Sequence, residues 1–292
     1  MNIIEEIKVS FKTGNNLTRL IYVNLGIFLF LQVVMIFSRL FGNDQQIYTL
    51  IKFIAVPTHL EVLVTRPWTL FSYMFTHKDF LHVLFNILWL YWFGRIFLSY
   101  FSERQLISVY ILGGIAGALL YIISYNIFPG LQAQALDSYA LGASASVMAI
   151  VIAVAFLVPD YKIYIVLIGP VRIIYVALIG FVLSSLVDFS VNTGGKIAHI
   201  GGAAFGYLYT YKYNRGKDIS IWFSQFLDKL FSLFKREKKM KVTHKKPVTD
   251  YEYNKQKNSQ QKDVDRILDK ISKQGYESLS KEEKEILFKM GK

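Results

Sequence analysis

Six apolar stretches, each close to the length that crosses a bilayer, dominate this sequence. They cover residues 20–38, 81–98, 107–123, 141–157, 173–187 and 197–211. A helix needs about 20 predominantly apolar residues to cross the hydrocarbon core, and 53% of this chain is hydrophobic. Because a span in lipid must satisfy its own backbone hydrogen bonds, these stretches must be helical. The sequence therefore predicts an all-α, polytopic membrane protein with a six-helix transmembrane bundle.

Small residues indicate which of these helices pack closely together. The fourth and sixth stretches are short and rich in small residues, which is typical of helices inside a bundle. Gly113, Gly114 and Gly117 lie in the third stretch, and Gly202 and Gly206 lie in the sixth. Glycines at this spacing allow two backbones to approach closely, so these helices are predicted to contact their neighbours through glycine.

The distribution of positive charge predicts the orientation in the membrane. Of the 33 Lys and Arg residues, 21 follow residue 210, and the formal net charge is +12. Because basic segments remain on the cytoplasmic side, we expect both termini there, in an integral multi-pass protein of a prokaryotic cytoplasmic membrane. Residues 1–16 contain no cleavable-looking signal. A basic tail beside the last span favours lipid contact, whereas no fold signature indicates nucleic-acid binding.

Changes in composition divide the chain into five segments. They are a cytoplasmic N-terminal segment (1–15), a six-span domain (16–213), an amphipathic basic interfacial helix (214–240), a flexible polar linker (241–262) and a small helical hairpin (263–292). Apolar residues at three- and four-residue spacing predict the interfacial helix, and a seventh span is the weaker alternative. Ser280 to Glu283 resembles a capping box that opens the second helix of the hairpin. The partner of this tail is not predicted.

Four polar side chains lie near the starts of the even-numbered spans. His82 and Asn86 begin the second span, Ser144 begins the fourth and His199 begins the sixth. With both termini inside, these three helices all run from the outer to the inner face, so the four residues fall at a similar depth. Polar and ionisable groups inside a membrane are costly and are functional candidates by default.

These residue types are suited to proteolysis. Ser144 would attack a carbonyl carbon, and neutral His199 would take the serine proton and return it to the leaving amine. His82 and Asn86 are four residues apart and share a helix face, from which they could bind the oxyanion. The backbone N–H of Ser144, in the first turn of its helix, is a further donor. Taken singly, each residue is more often structural, and Ser146 is expected to hydrogen-bond within its own helix.

Other chemistries have weaker support. Asp137 and Asp188 lie outside the predicted spans, so the sequence favours a Ser–His dyad over a triad with a carboxylate. The chain has no cysteine, which excludes thiolate nucleophiles and Cys-based metal sites. His77 and His82 suggest a metal, but no His-Glu-x-x-His pattern or carboxylate ligand set accompanies them. We therefore expect no metal and no organic cofactor.

Three motifs in this sequence resemble those of rhomboid intramembrane serine proteases. They are the His-x-x-x-Asn of His82 and Asn86, the Gly-x-Ser ending at Ser144, and the Ala-His-x-x-Gly-x-x-x-Gly of residues 198–206. The resemblance covers about residues 15–213. It implies six helices around a water-filled cavity that opens to the outer face. It also implies Ser144 as the nucleophile, His199 as the base, and an oxyanion site made by His82, Asn86 and the Ser144 amide.

Further residues support the site or depart from the family pattern. Gly142, Gly202 and Gly206 match glycines of the motifs. Ala145 replaces a glycine that often follows the nucleophile, and Thr69 replaces an arginine that often follows the first-loop tryptophan. Met148 stands where many members carry a tyrosine that stacks on the histidine, and a thioether packs less rigidly there. None of these changes removes a catalytic group.

The resemblance predicts a serine-type endopeptidase that cleaves transmembrane-helix substrates near the outer membrane face. The expected partners are transmembrane protein substrates and the lipid bilayer, with no nucleic acid. The alternative is a non-catalytic rhomboid-like protein that binds membrane helices, in which Ser144 is incidental. A small transporter is weaker, because no matching broken helices or internal repeats are visible.

Overall fold

The computed structural model describes residues 2–42, 44–166, 168–188, 190, 192–234 and 249–290. Contacts divide the chain into two compact units, and the boundary falls between the last two of these ranges. The helices of the first unit are α1 (Ile3–Thr13), α2 (Asn16–Leu40), α3 (Asp44–Ile54), α4 (Leu60–Thr65), α5 (Thr69–Ser72), α6 (Phe80–Leu98), α7 (Glu103–Ile127), α8 (Pro129–Gln132), α9 (Ser144–Leu157), α10 (Ile173–Ser185), α11 (Thr193–Tyr213) and α12 (Ile221–Phe234). Its short strands are β1 (Val56–Pro57), β2 (Tyr139–Ala140), β3 (Lys162–Ile165) and β4 (Gly169–Arg172). The second unit contains α13 (Asp250–Gln274) and α14 (Lys281–Met290).

Three helices are long and apolar enough to cross a membrane among the residues that the structure describes, namely α2, α6 and α7. The other three predicted spans correspond to α9, α10 and α11. Helices α9 and α10 contain 14 and 13 residues, or about 20 Å at 1.5 Å per residue. This is less than the roughly 30 Å hydrocarbon core. The three long apolar helices support the membrane-protein class. The count of six spans remains a prediction, because α9 and α10 are short.

Helix α9 lies at the centre of the first unit. Every residue from Ala145 to Ala155 is buried, and the helix packs against α6, α7, α10 and α11. The prediction that this stretch lies inside the bundle is confirmed. The helix begins at Ser144, three residues after the approximate start predicted at residue 141. Gly142 adopts a φ of +122°, which interrupts helical geometry just before the serine.

Glycines bring α7 and α11 into backbone contact with α9, as the sequence predicts. A Cβ placed on Gly113 would lie 2.2 Å from the Ala149 Cβ, and one on Gly206 would lie 2.2 Å from the Ala149 carbonyl oxygen. A Cβ on Gly201 would lie 2.7 Å from the Ala116 carbonyl oxygen of α7. No side chain fits at such separations, so these glycines set the distances between the three helices.

The loops on either side of this bundle are ordered. Strand β1 pairs antiparallel with β2, and β3 pairs antiparallel with β4. The β3–β4 hairpin is an extended segment between the fourth and fifth apolar stretches. The Ile173 N–H donates to the Tyr161 carbonyl oxygen at 2.7 Å, so the hairpin is fixed to the start of α10.

The predicted linker 241–262 needs correction. Helix α13 begins at Asp250, which makes residues 250–262 helical, and the predicted start of the hairpin at 263 falls within this helix. Thr249 and Glu252 form a capping box at its N-terminus, and this local signal outweighs the polar composition. Residues 241–248 lie outside the described residues. The predicted interfacial helix 214–240 corresponds to the shorter α12.

The second unit is a helical hairpin with a small core. Ile267 and Leu279 are buried, and the Lys270 ammonium contacts the Glu283 carboxylate at 2.8 Å. The Ser280 N–H donates to Glu283 at 2.8 Å, and the Glu283 N–H donates to the Ser280 hydroxyl at 3.2 Å. The predicted capping box is therefore present, and Glu283 serves both the cap and the ion pair.

Replacing Glu283 with glutamine is expected to loosen α14. The hydrogen bond from Lys270 and that from the Ser280 N–H hold the pKa of Glu283 below its ordinary value of 4.5. Its stabilising contribution is present above that value and is lost as the pH falls through the depressed pKa. Hydrogen exchange of the full chain at pH 7 should be faster across residues 279–290 in this variant. Glu282→Gln is the control, and equal exchange in both variants would contradict the prediction.

Candidate active site

The loop before Ser144 places this residue at the N-terminus of α9. The Gly142 N–H donates to the Tyr73 carbonyl oxygen at 2.9 Å, which joins the loop to the short helical turn before α6. A Cβ on Gly142 would lie 2.7 Å from the His82 ring, and the φ of +122° is itself unfavourable for other residues. Ser144 is half-buried. The glycine of the Gly-x-Ser motif therefore lets the His82 ring lie beside the loop that carries Ser144.

His77 holds the same loop through its backbone, a role that sequence reasoning missed. Its Nε2 accepts a hydrogen bond from the Ala143 N–H at 3.1 Å. The Asn86 amide nitrogen lies 3.5 Å from the same Nε2, and the His77 and His82 rings meet edge-on at 5.1 Å between centroids. His77 is fully buried. The signal was its position five residues before His82, but the bond to residue 143 depends on the tertiary fold.

For the protease activity that the motifs predict, replacing His77 with leucine is expected to lower kcat/KM about 10- to 100-fold. The Ala143 N–H would lose its acceptor, and an unsatisfied buried donor costs about 1–3 kcal/mol. The loop before Ser144 would then be held less firmly. His77→Gln retains an acceptor and should keep more activity. Peptidase rates in detergent micelles would test this order. Equal rates in both variants would contradict a role for the acceptor.

Burial of His77 also predicts a pH dependence of stability. Burial, with a smaller effect from neighbouring His82, lowers the pKa of His77 from 6.5 to about 3. Between these values the unfolded chain binds the proton and the folded chain does not, so His77 makes stability fall as the pH falls below about 6.5. The unfolding temperature should therefore fall less steeply from pH 7 to pH 5 in His77→Gln than in the wild type. Parallel declines would contradict this assignment.

Helix α11 carries His199 and packs directly on the first turn of α9. A Cβ on Gly202 would lie 2.1 Å from the Ala145 carbonyl oxygen. Gly117 of α7 also lies close, since a Cβ there would be 2.6 Å from the Ala145 Cβ and 2.7 Å from the Ala198 carbonyl oxygen. Ala145, which departs from the family pattern, therefore has its methyl group facing a glycine. Residues adjacent to Ser144 and His199 meet on this one glycine.

A backbone carbonyl orients the His199 ring. Nδ1 lies 3.2 Å from the carbonyl oxygen of Ser184, near the end of α10. Because a carbonyl can only accept, Nδ1 carries the hydrogen and Nε2 of the neutral ring is left with a free lone pair. This tautomer is the one that a general base needs. No carboxylate is predicted for this role, and the structure provides a backbone carbonyl in its place.

The two candidate carboxylates for a triad, Asp137 and Asp188, contact other groups. Asp137 lies 3.4 Å from the Lys52 ammonium, and Asp188 accepts a hydrogen bond from the Ser190 hydroxyl at 2.6 Å. Within the described part of the chain, no group of three or more His, Asp or Glu side chains is arranged to hold a metal ion.

The remaining predicted residues are positioned unevenly. His82 lies beside Gly142, whereas the Asn86 amide donates to the His82 carbonyl oxygen at 2.8 Å and also faces His77. Asn86 would have to turn its amide to reach an oxyanion. Met148 is buried one turn after Ser144. The described hydrogen bonds do not include one between Ser144 and His199, and such bonds are often longer before substrate binds.

Comparison with protein families now decides the classification. The Rhomboid domain matches residues 64–216, just over half of the chain. The chain belongs to the rhomboid family. The resemblance found in the motifs is therefore confirmed, and the matched region includes His77, His82, Ser144 and His199. A rhomboid protein with apolar helices of this length is a membrane protein.

Two further matches were found, one to a curated relative and one at the C-terminal helices. RHOMBOID-like protein 12, mitochondrial, of Arabidopsis thaliana is 26% identical over 208 residues. The match covers 68% of this chain and 58% of that relative, so the rhomboid protein described here spans less than two thirds of the relative's length. A family of unknown function, DUF6576, matches residues 249–291, the region of α13 and α14.

Proposed function

We propose that this rhomboid protein is an intramembrane serine endopeptidase with Ser144 as nucleophile and His199 as base. The observation that carries the proposal is the bond between His199 Nδ1 and the Ser184 carbonyl oxygen. It leaves Nε2 as a proton acceptor on a helix whose backbone contacts the residue after Ser144. Membership of the family supports protease activity in general terms.

The reaction follows from these positions. As the Ser144 oxygen attacks the substrate carbonyl carbon, its proton moves to His199 Nε2. The tetrahedral intermediate then collapses, the carbon–nitrogen bond breaks, and His199 returns the proton to the leaving amine. A water molecule then attacks the acyl-enzyme carbonyl carbon as its proton moves to His199 Nε2. The bond from this carbon to the Ser144 oxygen breaks, His199 returns the proton to that oxygen, and the carboxylic acid product leaves. The Ser184 carbonyl keeps the ring oriented and stabilises the transient imidazolium.

The oxyanion would be bound beside the loop that precedes α9. The Ser144 N–H lies in the first turn of a helix, where backbone donors lack helical partners and the dipole favours negative charge. His82 is held against Gly142 on the same side, and an N–H of its ring can donate. Asn86 contributes after its amide turns away from the His82 carbonyl oxygen. Together these donors would stabilise the intermediate.

The proposed substrates are transmembrane helices, cleaved near the outer membrane face. A substrate helix must unwind to expose a carbonyl, so small or helix-breaking residues near the cleaved bond are expected. Both termini would lie in the cytoplasm, because the basic residues concentrate in the tail. We place the protein in the cytoplasmic membrane of a prokaryote, although the name of the Arabidopsis relative assigns that protein to mitochondria.

The alternative is a non-catalytic protein that binds membrane helices, and one observation favours it. The Ser144 hydroxyl and the His199 ring are not hydrogen-bonded to each other among the described contacts. In this alternative the polar residues hold helices together, and Ser144 has the reactivity of an ordinary alcohol.

Labelling with a fluorophosphonate distinguishes the two functions, because only an activated serine reacts. Full-length protein in detergent should be labelled at Ser144, as located by mass spectrometry of its peptides. Labelling should be lost in His199→Ala and retained in Ser146→Ala, which removes a buried hydroxyl two residues away. Absence of labelling in folded wild-type protein would favour the binding function.

A further inference from the structure

A partly open groove lies at the end of α6 that is remote from the candidate dyad. Its volume is about 810 Å³, which is within the usual range for ligand sites. Its walls are the last turns of α6, the first turns of α10 and strand β3. Along α6, Arg95 follows His82 by 13 residues, or about 20 Å. The groove therefore opens at the membrane face opposite to Ser144.

The lining is apolar along its length and cationic at its mouth. Trp92, Ile96 and Val176 line the apolar part. Arg95 and Lys162 are the charged residues of the lining, and among the described residues that form it there is no carboxylate. This division matches a molecule with an apolar chain and an anionic end.

The two cations are free to bind an anion. Arg95 donates to the Tyr91 hydroxyl at 3.0 Å and lies over the same ring, so its guanidinium is directed by an uncharged partner. Asp160, two residues before Lys162 in the sequence, is paired with Arg172 at 3.2 Å. Arg172 thus neutralises Asp160 and leaves the charge of Lys162 uncompensated.

The inner end of the groove is closed by aromatic side chains. The Trp89 indole lies directly on Gly180 of α10, where a Cβ would be 2.2 Å from its ring. Trp89 also stacks on Phe93 at 5.2 Å between centroids. At the mouth, Tyr161 and Tyr164 are exposed, and tyrosine and tryptophan favour the headgroup level of a bilayer.

We propose that this groove binds one anionic phospholipid from the leaflet opposite to the dyad. Its phosphate would lie between Arg95 and Lys162, and one acyl chain would follow α6 toward Trp89. An anionic lipid is favoured over a zwitterionic one because each nearby cation raises the affinity for an anionic headgroup by about threefold or more. The site does not depend on the proposed protease activity.

Bromine quenching of tryptophan tests this proposal, because Trp89 and Trp92 line the groove. In full-length protein carrying Trp68→Phe and Trp222→Phe, these two are the remaining tryptophans. The protein would be reconstituted in phosphatidylcholine bilayers that contain brominated phosphatidylglycerol or brominated phosphatidylcholine at equal fractions. We expect phosphatidylglycerol to bind at least about threefold more tightly near these tryptophans.

Matched variants separate the groove from general surface charge. Arg95→Gln with Lys162→Gln should abolish the preference, whereas Arg104→Gln with Lys217→Gln removes the same charges outside the groove and should retain it. Arg95→Lys with Lys162→Arg keeps both cations and should also retain it, which excludes misfolding as the cause. Equal quenching by both lipids in the protein that carries only Trp68→Phe and Trp222→Phe would overturn the proposal. It would indicate another occupant of the groove, such as a second copy of the chain. An equal loss in the matched control would also overturn it.

Discussion

Ser144→Ala is expected to lower kcat/KM for a single-span substrate by at least about 10³-fold, to the limit of detection. The hydroxyl oxygen is the atom that forms the acyl-enzyme, and removing a nucleophile from a Ser–His pair abolishes nearly all covalent catalysis. Protein abundance and thermal stability should change little, because Ser144 is half-buried and its side chain supports no packing contact described above.

The control for this prediction is Ser146→Ala, which removes the buried hydroxyl of α9. Ser146 is fully buried beside Gly114, and its hydroxyl has no hydrogen-bond partner in the described structure, so the hydrogen bond predicted within its own helix is not formed. Removal of this hydroxyl should leave the cleavage rate within about twofold of the wild-type rate, since the methyl group of the new alanine fits the same space. Cleavage should be measured in detergent and again in lipid bilayers. Full activity of Ser144→Ala in either medium would reject the nucleophile.

Gly202→Ala is expected to cause the second-largest loss, through packing. The added Cβ would lie 2.1 Å from the Ala145 carbonyl oxygen, so α11 must move away from the first turn of α9. Overpacking of this kind costs about 1–3 kcal/mol. Because His199 is on the displaced helix, a shift of about 1 Å would reduce kcat by about 10²-fold.

Gly26→Ala provides the matched control for this substitution. Gly26 lies in α2, and a Cβ there would meet no atom within 4 Å. Alanine also favours helix over glycine by about 1 kcal/mol, so this variant should be at least as stable as the wild type and fully active. Unchanged unfolding temperature and cleavage rate in Gly202→Ala would show that the α9–α11 contact is not required.

Local patterns in the sequence predicted the parts of the site that depend on one helix. Helical geometry explains the spacing of His82 and Asn86 and the spacing of the motif glycines. The capping box at Ser280 follows a four-residue rule. The family motifs then connected Ser144 to His199. These predictions needed no knowledge of which residues meet across the bundle.

The remaining parts depend on tertiary contacts between distant residues. The bond from the Ala143 N–H to His77 joins positions 66 residues apart, and the orienting carbonyl belongs to Ser184, whose side chain gives no signal for a backbone role. Helix α13 begins at Asp250 because a capping box overrides a polar composition typical of a linker. The short lengths of α9 and α10 also became visible only with their ends.

Reaction with a peptide chloromethyl ketone tests the pairing of Ser144 with His199 most directly. The serine adds to the ketone, and the held reagent then alkylates Nε2 of a histidine within reach. Mass spectrometry of the full-length protein is predicted to find the adduct on His199 in the wild type and to lose it in Ser144→Ala. An adduct on another residue, or alkylation of His199 at the same rate without Ser144, would contradict the account.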